Sequence, residues 1–164
     1  VIVLLGDSLI ARGNWNKYFS TSNVKNFGID GDTTKGVLAR LSHVLNMKPE
    51  KVVLLIGIND FASLDLIDNI FKDYLKILNK LNQNKIEVII VKLLYTQMKS
   101  YNKKVEVFNK LLDEYIRKHS YSFIDMNTEL SIDNYLKDEY TYDGIHLNEK
   151  AYILFSSKLE EFIL

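Results

Sequence analysis

The chain has 164 residues, of which 47% are hydrophobic and 26% charged. That is enough for a folded core without disulfides or metal, and it lies outside the compositions of disordered or collagen-like chains. Lys plus Arg and Asp plus Glu both total 21 and cysteine is absent, so no net field draws nucleic acid, and disulfides, thiolate nucleophiles and cysteine metal sites are excluded.

The first apolar run, residues 1–5, is β-branched and strand-sized. It is followed by Gly6-Asp7-Ser8-Leu9, and a second run at 24–27 leads into Gly28-Ile29-Asp30-Gly31-Asp32. Val37, Leu38, Leu41, Val44 and Leu45 then recur at helical spacing, in a helix that has to stop before Pro49, because the residue preceding a proline avoids the helical region. A third strand is predicted at 52–56, with Gly57-Ile58-Asn59-Asp60 after it.

The widest helical stripe is Ile67, Ile70, Phe71, Tyr74, Leu78 and Leu81. Strands are predicted at 88–91 and 122–124, flanking a helix whose stripe is Val105, Phe108, Leu111, Leu112 and Tyr115. A last helix starts near Asn148, a good N-cap, and places Ala151, Leu154, Phe155, Leu159 and Phe162 on one face. All the apolar runs are far shorter than the roughly 20 residues of a membrane helix, and each strand is short enough to be buried on both faces.

Strands alternating with helices imply βαβ units, and right-handed crossovers narrow the topology to an α/β fold: a three-layer α/β/α sandwich with a five-stranded parallel sheet, flavodoxin-like, in the order 2-1-3-4-5. No repeat, linker or shift in composition divides the chain, so one domain is expected over 1–164. In such sheets ligands bind outside the carboxyl ends of the strands, which is where the four polar blocks fall. Ester hydrolysis needs a nucleophile, a base, a group to hold that base and donors for an oxyanion. Serine, histidine, aspartate, asparagine and glycine in these loops supply all of them.

The blocks GDSL at 6–9, NFGIDGDT at 26–33, GIND at 57–60 and DGIH at 143–146 resemble, in order, those of the GDSL or SGNH hydrolases. One such block arises easily by chance; four in sequence at strand ends do not. The resemblance implies that Ser8 is the nucleophile, His146 the general base and Asp143 the carboxylate that orients it. It also implies an oxyanion hole made of the Ser8 and Gly31 backbone N–H groups and the Asn59 amide. Gly31, lacking a Cβ, is expected to let substrate approach closely. The elbow of α/β-hydrolases, G-x-S-x-G, does not fit, because Leu9 and Ile10 follow Ser8. The family often has glycine at the position of Ala151, a change without expected consequence.

Other residues have plainer readings. Asp7 is expected to bond loop backbone, Asp60 to cap the helix that follows it, Gly28 to serve a turn, and His43 and His119 to be surface or packing residues. Trp15, Tyr95 and Tyr142, in loops near the blocks, are candidate substrate-contacting residues; Tyr140 is a further loop aromatic. No metal and no cofactor is needed.

The expected activity is that of a serine esterase or acylhydrolase acting on short- or medium-chain acyl esters, carbohydrate O-acetyl groups among them, through an acyl-serine intermediate. Alternatives are an acyl thioesterase or lysophospholipase of the same family, and a non-catalytic carbohydrate- or lipid-binding module. The partner is then a small-molecule acyl ester or acetylated carbohydrate, with no nucleic acid and no transmembrane segment. A cytoplasmic setting is expected if only a methionine precedes Val1, and a periplasmic or secreted one if a leader does.

Overall fold

In the computed structural model, which describes residues 1–20 and 23–163, the apolar runs form a parallel sheet of five strands in the order β2-β1-β3-β4-β5. These are β1 (Ile2–Gly6), β2 (Val24–Gly28), β3 (Lys51–Leu55), β4 (Glu87–Val91) and β5 (Ser122–Ile124). Leu4 stands opposite Asn26 on one side and Val53 on the other, which fixes the register of the three strands that carry the site loops. The chain runs outward from β1 in one direction to β2 and in the other to β3, so the crevice where the order reverses lies between the ends of β1 and β3.

The central strands are apolar throughout and fully covered: Val3, Leu4, Leu5, Val52, Val53 and Leu54 have no exposed surface. The edge strands depart from the expectation of burial on both faces. Lys25 and Asn26 of β2 are exposed, and Phe123 of β5 is 47% exposed. An edge strand has one neighbour, and polar side chains there discourage pairing with another chain.

Right-handed crossovers put the β1–β2 connection on one face and the other three on the opposite face. The first face carries α1 (Ser8–Ala11), α2 (Trp15–Tyr18) and the last helix, α7 (Glu149–Ile163). The second carries α3 (Thr34–Asn46), α4 (Ile67–Gln83) and α5 (Lys99–His119), packed side by side. Thr33 caps α3 by accepting from the Gly36 N–H at 3.2 Å, and α3 ends before Pro49 as the sequence requires. The α4 stripe buries Ile70, Tyr74, Ile77, Leu78 and Leu81, each apolar side chain worth about 1.5–3 kcal/mol. Asn148 starts α7, its Oδ1 accepting from Ala151 N–H at 3.1 Å.

Between β5 and α7 lie elements that the periodicity did not reveal: α6 (Asn127–Leu130) and a hairpin of β6 (Ser131–Ile132) and β7 (Tyr135–Leu136). Two-residue strands have no period to read. The turn residues Asp133 and Asn134 have φ of 51° and 58°, as a two-residue type I′ hairpin turn demands.

Candidate active site

β1 ends at Gly6, and Asp7 caps the short α1 by accepting from the Leu9 N–H at 3.0 Å. This bends the chain so that Ser8 faces the rim while staying 8% exposed. The second carboxylate oxygen of Asp7 is buried without a partner among the described residues. Burial, with Asp32 and Asp60 adding to it, pushes the Asp7 carboxyl up to about 7 against the pull of the Leu9 N–H. Asp7 therefore bonds loop backbone, as read from the sequence, at the cost of a strained ionisation.

The histidine arrives from the other end of the chain. Thr141 donates its hydroxyl to the His146 carbonyl at 2.6 Å and accepts from Gly144 N–H at 2.9 Å, which closes a tight loop ahead of α7. Within it Asp143 Oδ1 accepts from Ile145 and His146 N–H at 2.9 and 2.7 Å. Its Oδ2 lies 2.6 Å from His146 Nδ1. The opposite ring nitrogen, Nε2, lies 3.1 Å from Ser8 Oγ. An ionised carboxylate only accepts, so the shared proton sits on Nδ1 and leaves Nε2 free to take one from Ser8. Partial desolvation raises the Asp143 pKa, but the His146 backbone and ring bonds and the Ile145 N–H outweigh it and bring the carboxyl to about 2.

Gly31 sits in the turn Ile29–Asp32, where Asp32 N–H donates to Ile29 O at 3.1 Å. Its φ is +79°, and a Cβ there would meet nothing within 4 Å. Glycine thus suits the backbone conformation, the third position of a type II turn, and no protein atom crowds the space beside it. Gly28 is the reverse case: a Cβ would fall 2.2 Å from Ala11 N, so it serves the close passage of α1 over β2, not a turn. The Asn59 amide donates to Asp32 O at 3.0 Å, and Asn59 lines the cleft together with Ser8. Asp60 corrects the capping expectation. It reaches back to α3, accepting from Thr34 N–H at 3.0 Å and Thr34 Oγ1 at 2.6 Å, and so ties the β3 loop to the β2 loop. Arg40 does likewise for β1, bonding Asp32 Oδ2 at 2.8 Å and Gly6 O at 3.0 Å.

Ser8 and His146 open on a cavity of about 140 Å³ walled by Ile58, Leu94, Tyr101 and Ile145. The sequence reading did not pick out these four. Ile58 and Ile145 stand inside the quoted blocks and could have been found there; Leu94 and Tyr101 carry no local signal.

Of the three candidate substrate-contacting aromatics, only Tyr142 is near the cleft. Its ring stacks on His146 at 6.0 Å. Trp15 is instead a core residue, 3% exposed, its indole N–H donating to Ile10 O at 2.7 Å and its rings set edgewise to Tyr152 and Phe155. Tyr95 faces a different, polar cavity beside Lys92, Asp113 and Asp125, because successive side chains in an extended segment alternate sides and Leu94 takes the cleft. His43 and His119 are exposed, His119 lying over the Tyr115 ring. Among the described residues no group of three or more His, Cys, Asp or Glu could hold a metal ion, and no described helix is long and apolar enough to cross a membrane.

A serine bonded to histidine bonded to carboxylate, at the switch point of a parallel sheet, is the arrangement by which serine hydrolases activate a nucleophile. Residues 4–154 match the GDSL-like Lipase/Acylhydrolase family, and the chain belongs to that family, an ester-hydrolysing one. It is similar to the N-acylneuraminate cytidylyltransferase of Streptococcus agalactiae serotype III (27% identity over 163 residues, 98% of this chain). The chain spans only 38% of the length of that relative. The platelet-activating factor acetylhydrolase IB subunit alpha1 of Rattus norvegicus is 28% identical, over 92% of this chain and 69% of its own. In fold, a GDSL-like lipase from Bacteroides thetaiotaomicron matches with a TM-score of 0.91 at 23% identity, over 99% of this chain and 86% of that one. An acetylxylan esterase from Geobacillus stearothermophilus matches at 0.80 and 15% identity, over 98% and 92%.

Proposed function

We propose that the chain hydrolyses short-chain acyl esters through an acyl-serine intermediate. Ser8 Oγ attacks the acyl carbon while His146 Nε2 takes its proton. Asp143 holds the imidazole in the required tautomer and stabilises its cationic form. The carbonyl oxygen, as it gains negative charge, is met by the Ser8 and Gly31 N–H groups and the Asn59 amide, each such donor worth about 2.7–4 kcal/mol in comparable enzymes. His146 then returns the proton to the leaving oxygen, and a water activated by the same nitrogen releases the acid.

The observation that carries this reading is the unbroken chain of 3.1 and 2.6 Å bonds from Ser8 through His146 to Asp143, opening directly on an apolar cavity. At about 140 Å³ that cavity is well below the roughly 300 Å³ at which drug-sized ligand pockets begin. It suits an acetyl to butyryl group better than a fatty acyl tail. The relatives named as an acetylhydrolase and an acetylxylan esterase agree with a small acyl group.

The test is hydrolysis of p-nitrophenyl esters from acetate to palmitate, beside an acyl-thioester series and the Ser8→Ala protein. Turnover is expected to be greatest with acetate to butyrate and lost in Ser8→Ala. An optimum at long chains, or activity unchanged by Ser8→Ala, would overturn the proposal.

A further inference from the structure

The tetrahedral carbon of acyl transfer has four substituents, and the proposed mechanism places three: Ser8 Oγ, the oxyanion beside Gly31 and Asn59, and the acyl group in the apolar cavity. The fourth, the leaving oxygen, receives its proton from His146 Nε2 and so departs alongside that imidazole. Next to the histidine loop lies a second cavity, of about 490 Å³, lined among others by Arg12, Asn14, Lys17, Tyr18, Tyr142 and Glu149. Tyr142 is shared between the cavity and the histidine: its ring is stacked on His146 with planes 15° apart, and its hydroxyl accepts from Arg12 Nη1 at 2.9 Å. Arg12 continues to Asp30, the neighbour of Gly31, with Nη2 and Nε at 3.2 and 3.4 Å from its two oxygens. One guanidinium thus spans from the helix of the nucleophile to the loop of the oxyanion donor and the loop of the base.

We infer that this cavity is the subsite for the leaving alcohol and that it takes a neutral polyhydroxylated ring, with Tyr142 as its platform; the inference rests on the acyl-serine reading. Its lining combines the aromatic rings of Tyr18 and Tyr142 with donors on Arg12 and Lys17, acceptors on Glu149, and Asn14, which does both; this suits the apolar faces and hydroxyl edges of a sugar. Trp15, set edgewise against Tyr18 at 6.4 Å, backs that wall from the core. The charge of the lining favours a neutral alcohol. Arg12 is paired with Asp30 and Lys17 with Glu149, the latter at 2.6 Å, so each cation that a phosphate or carboxylate would seek is already balanced by a carboxylate. Hydroxyl groups can bridge both pairs without breaking either.

The test compares three acetates that share one acyl group: an O-acetylated methyl glucoside, butyl acetate, and an acetylated glycerol phosphate. In the wild-type protein kcat/KM is expected to favour the sugar ester over both others by about tenfold or more. Tyr142→Ala is expected to shrink the sugar-to-butyl ratio by about tenfold, mainly through KM, whereas Tyr142→Phe, which keeps the ring, holds it within about threefold. A melting curve of each variant verifies folding. If Tyr142→Ala lowers both rates and leaves the ratio unmoved, the residue only supports His146 and the subsite is wrong. Preference for the phosphate ester would overturn the neutral class. Labelling of Ser8 by a fluorophosphonate separates the two levels: a labelled Ser8 without sugar preference refutes the subsite alone, whereas an unlabelled Ser8 with no acetate cleaved refutes the acyl-serine reading and the subsite with it.

Discussion

Asp7 shows what it takes to seat the nucleophile. Its carboxyl turns the chain at the end of β1, but it does so in full burial, near Asp32 and Asp60, with Arg40 bonded to Asp32 and not to it. Raised from 3.8 to about 7, the folded-state pKa means that the native protein holds this proton more tightly than the unfolded chain does. The contribution of Asp7 to stability is therefore greatest below about pH 4, falls as pH rises from there towards 7, and levels off above it. Asn at this position keeps an acceptor for Leu9 N–H and cannot ionise. Asp7→Asn is expected to remove the decline, a difference on the order of 3 kcal/mol between pH 5 and pH 8, read by urea denaturation at the two pH values. Asp143 does not blur the result: its pKa is lowered, so its contribution is lost only as pH falls through the acid range towards 2. Parallel pH profiles for Asp7→Asn and wild type would refute the account. The sequence allowed Asp7 a structural role beside Ser8, yet nothing in a single chain of letters shows that one carboxylate oxygen has no partner.

The segment after β4, residues 93–97, lines the acyl cavity without belonging to a strand, and three asparagines hold it in place. Asn109 accepts from Leu93 N–H at 2.9 Å and donates to Leu93 O at 2.8 Å. Asn127 accepts from Tyr95 N–H at 2.9 Å, and Asn102 accepts from Thr96 N–H and donates to Thr96 O, both at 2.7 Å. Each side-chain amide stands in for a strand neighbour. Asn102 and Asn109 are seven apart on α5, two turns along the face that also carries Val105, Phe108 and Leu112, and all five are buried. The apolar stripe of α5 was legible from its period. The asparagines on that stripe were an unread signal, since a polar residue on a buried face requires a partner. Asn109→Ala is expected to cost about 1–3 kcal/mol in chemical denaturation, because it leaves the Leu93 N–H buried and unpaired. Asn109→Asp should cost more, since it buries a charge and turns a donor into a second acceptor facing Leu93 O. A loss below about 0.5 kcal/mol for Asn109→Ala would show that the segment relaxes to find another acceptor.

Across the whole molecule, the approximate bounds of all five sheet strands follow from short apolar runs between turn blocks, and α3 to α5 and α7 from apolar stripes; the strand order expected for a flavodoxin-like sheet is the one found. The misses have a common cause: α2, the β6–β7 hairpin and the core placement of Trp15 depend on contacts distant in sequence and not on a local period. The candidate site is built from such contacts. Ser8 and His146 are 138 residues apart, and the helix that follows the histidine is fastened to the helix of the nucleophile by Tyr152, whose hydroxyl donates to Leu9 O at 2.7 Å. The same Tyr152 lies 5.6 Å from Trp15, ring to ring, and Phe155 5.4 Å. Undocking α7 would thus move His146 away from Ser8 and expose the chain's one tryptophan in the same event. In a urea titration, ester hydrolysis and Trp15 emission are expected to be lost together, with one midpoint, and helical circular dichroism to follow the same curve if the sheet and α7 unfold as a unit. Activity lost at lower urea with emission unchanged would mean that the loop from Thr141 to Leu147 opens while α7 stays docked. In that case the bonds from Asp143 and Thr141 to His146, and not the packing of the last helix, would set the stability of the site.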